Sequence, residues 1–474
     1  MSQTRGCDRF TSYLKVIFLF LASTSLVLYL SFVRHDLWFR CDYYSTVTTT
    51  HEYYDSLPST NISHIVFGIG GSARTWKDRK HYSQLWWKPN ITRGFVWLDE
   101  EPEPNSTSSA AGALPPYLVS SNWKKFKFTH SQSAVRISRI VVDSFQVGLP
   151  NVRWFVMGDD DTIFFTDNLV TVLAKYDHRQ MYYIGGISES VEQNVMHAYD
   201  MAFGGGGFAI SYPLAEELVR VMDGCLNRYF NLYGSDQRVW ACVGELGVSL
   251  IRERGFHQID IRDDPFGLLA AHPMTPLVSL HHLDYVQSLF PGQSQLESLR
   301  ILTTAYKVDP ARTMQQYFCY YHKWSISVSW AYAVQLYPWL LSAKDLETPL
   351  QTFRTWRSWS NGPFTFNTRP MSSEACEQPV IFYLDSFKED EEGNTVVTTY
   401  RKSPKKQENK CNQANYARAF AIEKIVVSSL KMDPRVWEKV TRRQCCEASK
   451  GFWSNTMTVK IRKCKYRETI TMKG

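Results

Sequence analysis

The run Trp154-Phe155-Val156-Met157 leads without a break into Gly158-Asp159-Asp160-Asp161, and this junction constrains the chain more than any other stretch. Four large apolar residues in a row read as a strand buried on both faces. Three adjacent carboxylates at its end repel one another unless something cationic neutralises them. A divalent ion is the natural partner, and oxygen ligands of this kind suit Mn²⁺ or Mg²⁺, which commonly complete their shell with diphosphate oxygens. In open α/β sheets, ligands gather at the carboxyl ends of strands, which is where this triplet falls. The ordinary alternative is an exposed acidic turn that caps whatever follows.

Runs of the same kind recur along the chain. Ile65 to Ile69 closes in Gly70-Gly71, Phe95 to Leu98 ends in Asp99-Glu100, and Met181 to Ile184 stands alone. Between them lie amphipathic stretches, Ser133 to Phe145, one starting at Thr166 or Asp167, one from Pro213 to Arg228, and one from Ser235 to Gly247. Strand and helix signals in alternation predict an α/β layer fold. After Phe290-Pro291-Gly292 the composition shifts to Trp-rich patches, strand-like Ser325 to Val334 and Val380 to Leu384, and an acidic break at Glu389 to Glu392. Residues 300–474 are therefore expected to form a second, mostly β domain of unassigned role.

Three further features could carry chemistry. Gly204-Gly205-Gly206-Gly207 lies between Phe203 and Phe208; each glycine costs roughly 0.5–1 kcal/mol in a regular element, so an unusual backbone path or a close approach is implied. Asp236 stands at a helix start, where the dipole favours an acid in any case. His281-His282 offers imidazole ligands, although such a pair is more often packing than a metal site.

Between Lys15 and Arg34, residues 16–33 carry no charge. As a helix they would span roughly 27 Å, enough to cross a hydrocarbon core. Small residues are lacking at the end of the run, which favours an uncleaved anchor over a signal peptide, and Arg5, Arg9 and Lys15 in front of it favour a cytosolic N-terminus. The expected order is then a cytosolic tail (1–15), a transmembrane signal anchor (16–33), a stem (34–60) and a lumenal remainder. Sequons at Asn61, Asn90 and Asn105 fit that compartment. Nine of the ten cysteines follow the anchor without zinc-type spacing. Disulfides are expected for Cys225 with Cys242 and for some pairing among Cys376, Cys411, Cys445, Cys446 and Cys464. Residues 401–474 hold 19 Lys and Arg against 6 Asp and Glu. Such a stretch could meet an acidic polymer or a membrane surface, but the charges are scattered among apolar residues, which favours a solvated basic face. No nucleic-acid partner is expected.

Taken in order, Trp154 to Thr162, Gly204 to Phe208, Gly234-Ser235-Asp236, Gly255-Phe256-His257 and His281-His282-Leu283 resemble the fringe-like β-1,3-glycosyltransferases of the family 31 type, most closely the plant fringe-related proteins, over residues 61 to about 292. The resemblance implies a GT-A type, Rossmann-like nucleotide-sugar-binding domain over 61–295 and a single-pass type II placement in the Golgi membrane. It implies that Asp161 binds the metal, with His282, or as second choice His281, as a further ligand. Asp159 and Asp160 would lie near the ribose or metal-bound water, Gly204, Gly205, Gly206 and Gly207 would line the donor sugar, and Asp236 would be the general base. Animal fringe proteins have two adjacent acids where this chain has Ser235-Asp236. The implied reaction is inverting transfer of a hexose or N-acetylhexosamine from a UDP-sugar to a glycan or glycoprotein hydroxyl. The competing expectation is a catalytically silent carbohydrate-binding or scaffolding protein on the same fold.

Overall fold

A computed structural model describes residues 59–103, 113–129, 131–356, 366–403, 411–439, 441–451 and 454–471, with 19, 21 and 23–26 near the start. Residues Thr60–Gly474 form one compact unit.

Its first layer is a seven-stranded sheet. The strands are β1 (Ile65–Gly70), β2 (Arg93–Leu98), β3 (Tyr117–Val119), β4 (Trp154–Asp159), β6 (Tyr183–Gly185), β7 (Phe208–Ser211) and β8 (Leu250–Arg252), while a short β5 (Ile163–Phe164) leaves for another sheet. The order is β3-β2-β1-β4-β7-β6-β8. Every residue of β1 is buried, so this central strand can be apolar on both faces. Period-two alternation then divides the packing. Ile65, Phe67 and Trp154 join a core with Trp76, Trp86 and Phe164, whereas Val66, Phe155 and Met157 join one with Ile140, Leu214 and Leu218. Gly94, at φ +145°, lets β2 lie against the Phe67 backbone, which a Cβ there would strike.

A three-stranded sheet sits at the carboxyl ends of these strands. It contains β9 (Phe256–Gln258) and β11 (Ser279–His281), with β10 (Ile261–Asp263) following β9 in the chain. Strand β11 pairs parallel with β9 and antiparallel with β5.

The rest of the chain supplies β12 (Gln316–Tyr321), β13 (Trp324–Ser329), β14 (Ala333–Tyr337), β15 (Leu350–Gln351), β16 (Phe353–Thr355), β17 (Arg369–Pro370), β18 (Val380–Glu389), β19 (Thr395–Lys402), β20 (Lys424–Leu430), β21 (Cys445–Lys450) and β22 (Thr456–Arg462). Eight of these form a sheet in the order β12-β13-β14-β18-β19-β20-β22-β21. The sheet curls until its outer strands meet, and Cys319 on β12 is bonded to Cys446 on β21 with Cα atoms 5.5 Å apart. Strand β16 leaves this layer and pairs antiparallel with β10, so the second half of the chain is stitched to the first. Buried Arg312 adds a polar tie, donating to Asp309 at 3.0 Å, the Tyr317 hydroxyl at 2.7 Å, Gln444 at 2.8 Å and the Leu430 carbonyl at 2.7 Å.

The expected fold class is corrected on two counts. Among the described residues no helix is long and apolar enough to cross a membrane. Of the run 16–33, Leu19, Leu21 and Ser23, Thr24, Ser25 and Leu26 are described, as helix, and the remainder lies outside the described residues. The single transmembrane anchor, the membrane as a partner and the Golgi type II placement therefore lose their structural basis. Second, the leading sheet is mixed and not the parallel sheet of a Rossmann-like domain. Strand β7 runs antiparallel to both β4 and β6, because the glycine turn before it brings the chain back between them.

Among the described residues four disulfides are present: Cys225–Cys242, Cys319–Cys446, Cys376–Cys411 and Cys445–Cys464. Cys319, which spacing did not single out, takes Cys446 from the expected group. Since the Cys319–Cys446 bond closes a span of 127 residues, replacing both cysteines with alanine should lower unfolding stability by about 2–4 kcal/mol. Denaturant unfolding, with the untouched chain as reference, measures the loss.

Candidate active site

The aspartate triplet leaves the end of β4 between two braces. Thr162 Oγ1 accepts the Asp159 backbone N–H at 2.8 Å and donates to the Gly205 carbonyl at 2.7 Å, which ties the acidic turn to the glycine run. From the helix Ala73–Trp86, Arg79 reaches Asp160 at 2.9 Å and Asp161 at 3.5 Å. From β11, His281 places Nε2 3.0 Å from Asp161 Oδ1 and 3.7 Å from Asp159 Oδ2. Asp159, Asp161 and His281 thus form a set whose ligand atoms all lie within 4.8 Å of one another.

This set fits a small, hard divalent ion. Asp160 Oδ2 is buried without a hydrogen-bond partner, and buried Asp161 Oδ1 has only His281 Nε2 facing it, so acceptor capacity is left over inside the cluster. The imidazole is oriented for the task. Gln258 Oε1 accepts the Gly206 N–H at 2.8 Å and faces His281 Nδ1 at 3.0 Å, so Nδ1 carries the proton and Nε2 is turned to the carboxylates. Gln258 is in turn held by Asp260, to which its Nε2 donates at 3.0 Å.

Charge within the cluster is strongly perturbed. Burial, and then the neighbouring carboxylates, raise Asp159 to about 7. Burial and the Asp161 charge raise Asp160 to about 6, against the pull of Arg79. Burial would also raise Asp161, but His281 and Arg79 overcome it and hold this carboxyl well below the usual range. Burial opposes the charge on His281, yet Asp161 and Asp159 together push it up to about 9. Without a metal, a protonated imidazole serves as the counter-ion.

His282 has a different place. Its backbone is left-handed at φ +66°, its Nδ1 lies 2.6 Å from Asp260 Oδ1, and its ring stacks on Trp356 at 4.8 Å with an interplanar angle of 4°. Arg262 covers Trp356 at 4.3 Å. Of the two histidines, His281 faces the carboxylates and His282 braces it from behind, the rings 4.0 Å apart.

The glycines are explained by what they touch. A Cβ on Gly205 would fall inside the His281 ring, one on Gly204 would lie 2.8 Å from Asp236 Oδ1, and Gly207 turns at φ +87°. Asp236 begins the helix Ser235–Glu245, which Cys225–Cys242 fastens to the helix Tyr212–Arg228. It accepts from Ser235 Oγ at 2.9 Å. Asp236, Gly204 and Asp159 line one cleft, so the glycine run separates the carboxylate–histidine set from a second acid.

Arg79, Gln258, Asp260 and Trp356 were not singled out in the sequence. Gln258 directly follows Gly255-Phe256-His257, which is the only local signal for it, and Arg79 sits in an ordinary polar helix.

Fold and site together define a carboxylate–histidine centre at the strand ends of a mixed α/β sheet, faced by a separate acid. The chain belongs to a family described as proteins of unknown function, DUF604, whose profile matches residues 193–446, just over half of the chain. No curated protein matches it.

Two outcomes are expected. Because His281 near 9 holds its extra proton at neutral pH and Asp159 near 7 is about half protonated there, a divalent ion has to displace protons, so Mn²⁺ affinity should rise, and proton release on binding should fall, as pH increases from about 6 to 9. Calorimetry in buffers of different ionisation heat reads both, and an affinity independent of pH would remove these two residues as ligands. Gln258→Ala frees the His281 ring and should weaken Mn²⁺ binding by about 10–100-fold, with Gly205→Ala at least as damaging; titration of each variant tests this.

Proposed function

We propose that the chain is a metal-dependent glycosyltransferase that moves a hexose or N-acetylhexosamine from a UDP-sugar to an acceptor hydroxyl with inversion. One observation carries the reading: ligand atoms of Asp159, Asp161 and His281 converge within 4.8 Å of one another, and Asp159 shares with Gly204 a cleft that Asp236 also lines. The resemblance of residues 61 to about 292 to fringe-like β-1,3-glycosyltransferases supports it, and a β-1,3 linkage is part of the proposal.

Asp159, Asp161 and His281 would hold Mn²⁺ or Mg²⁺, which when bound supplies positive charge for the diphosphate oxygens of the departing UDP. Arg79 balances Asp160 and keeps the triplet from carrying its full negative charge toward the nucleotide. Gly205 to Gly207 let the backbone pass close against His281, Gln258 and Phe164, and Gly204, on the cleft beside Asp236, would face the donor sugar. Asp236 takes the proton of the acceptor hydroxyl as its oxygen bonds to the anomeric carbon and the bond to the diphosphate breaks, a single displacement that inverts configuration. Gln258 and Asp260 fix the histidines, so that geometry is set before the substrates arrive.

Asp161→Ala should abolish divalent-dependent transfer. Asp236→Asn should retain UDP-sugar binding while turnover falls by about 10²–10⁴-fold. Release of UDP from UDP-galactose, UDP-N-acetylglucosamine and UDP-glucose, with Mn²⁺ and mixed sugar acceptors, is the assay. Normal turnover by the Asn variant would show that the base lies elsewhere, and hydrolysis without any acceptor would point to a different reaction.

A further inference from the structure

A cavity of about 550 Å³ opens between the end of β6, strand β9 and the helix Phe266–Leu269. Alternation along β9 sends Gln258 toward the carboxylate–histidine cluster and its neighbour His257 into this second space, so none of Asp159, Asp161 and Asp236 lines it. Ile187, Leu268, Leu269 and Pro349 supply apolar surface. Among the charged side chains of the lining, Arg252 and Arg254 offset Glu189 and Glu253, so the cavity carries no net formal charge. Arg252 is moreover engaged by Asp200 at 3.2 Å, and Glu253 accepts the Tyr176 hydroxyl at 2.6 Å and pairs with Lys175.

An imidazole relay ends in this lining. Glu189 Oε1 accepts from His257 Nδ1 at 2.6 Å, and His257 Nε2 accepts from His272 Nε2 at 3.0 Å. That order leaves a lone pair on His272 Nδ1, a buried nitrogen with no hydrogen-bond partner. His257 and His272 are only 4% and 2% exposed, so water does not fill the gap. Burial, and next His257, hold His272 well below its ordinary value, against a smaller pull from the Pro273 carbonyl, and the neutral ring keeps its lone pair. A buried acceptor without a donor costs about 1–3 kcal/mol, which a donor brought by a ligand would recover.

We propose that this cavity binds an uncharged, polyhydroxylated ligand of the saccharide class, with one hydroxyl donating to His272 Nδ1, another to Glu189, and its C–H surface against Leu268 and Leu269. Two features select this chemistry. Charges that cancel within the lining give neither an anion nor a cation an anchor. Aliphatic side chains beside acceptors that lack donors match a sugar ring, which carries C–H groups on its faces and hydroxyl donors at its edge. Ser188 and Asn194 are already engaged: Asn194 meets both Ser188 backbone groups at 3.1 and 2.8 Å, and the Ser188 hydroxyl donates to Asp260 at 2.6 Å. The recognition therefore falls to the histidine relay and Glu189. It is independent of the transfer reaction proposed for the cleft, whose acids lie elsewhere.

Titration calorimetry of the full chain with lactose, cellobiose and N-acetyllactosamine, each at up to about 10 mM and with no nucleotide or metal added, tests the assignment. At least one of these sugars is expected to bind, one molecule per chain. His272→Ala should weaken that binding by about tenfold or more. Val191→Trp, which fills the cavity from a position 36% exposed, should weaken it at least as much. An affinity unchanged in either folded variant overturns the proposal, as does absence of binding by all of the sugars. If His272→Ala fails to fold, Val191→Trp decides alone, since the valine side chain makes no hydrogen bond. The Asp161→Ala and Asp236→Asn assays report on the cleft separately, so failure here and failure there are told apart.

Discussion

Three carboxylates packed at the end of a buried strand are tolerated only because cations converge on them from separate parts of the chain. Arg79 arrives from the first helix and His281 from β11, more than a hundred residues beyond the triplet. Removing water from such a cluster without these partners would cost several kcal/mol per charge. The three-stranded sheet exists in effect to satisfy this demand. Strand β5 continues from the aspartates, β11 pairs with it, and that pairing delivers His281 to Asp161. The glycine run, the Gln258 contact and the brace on His282 are all arranged around the position of that ring.

Much of this was legible beforehand, and what was not has physical reasons. Apolar runs located β1, β2 and β4, since a strand buried on both faces has no freedom to be polar. Pro213 and Ser235 marked helix starts within a residue: the proline ring suits a first helical turn, and Ser235 follows Gly234, whose N–H the Gln237 side chain accepts. Ser133 to Phe145 was legible as helix, but it is broken at Arg139 into two short ones. That break follows from tertiary packing, which period alone does not encode. The direction of β7 was invisible for a similar reason: strand sense depends on where the chain returns, not on its residue pattern. At the site, the aspartates, the glycines and Asp236 stand out by type and spacing. Arg79, Gln258 and Trp356 do not, since each matters only through a neighbour distant in sequence. Between adjacent histidines, residue type carries no preference; the left-handed backbone at His282 turns the two rings to different partners.

The second half of the chain also bears on the first. Strand β16 pairs with β10 and brings Trp356 against His282, so a residue far along the chain forms the back wall of the carboxylate–histidine cluster. Asp263, on β10, and Arg354, on β16, reinforce the same junction by an ion pair. A C-terminal region joined in this way acts as part of the site's scaffold, whatever else it binds.

The curled eight-stranded sheet has a consequence for how the molecule behaves in company. A long open sheet presents unpaired amides and carbonyls at its two margins, an invitation to add strands from another chain. Here the margins β12 and β21 are turned toward each other and covalently fastened, while the margins of the other large sheet, β3 and β8, are three residues long apiece. At these margins the protein thus offers little template for strand-by-strand growth.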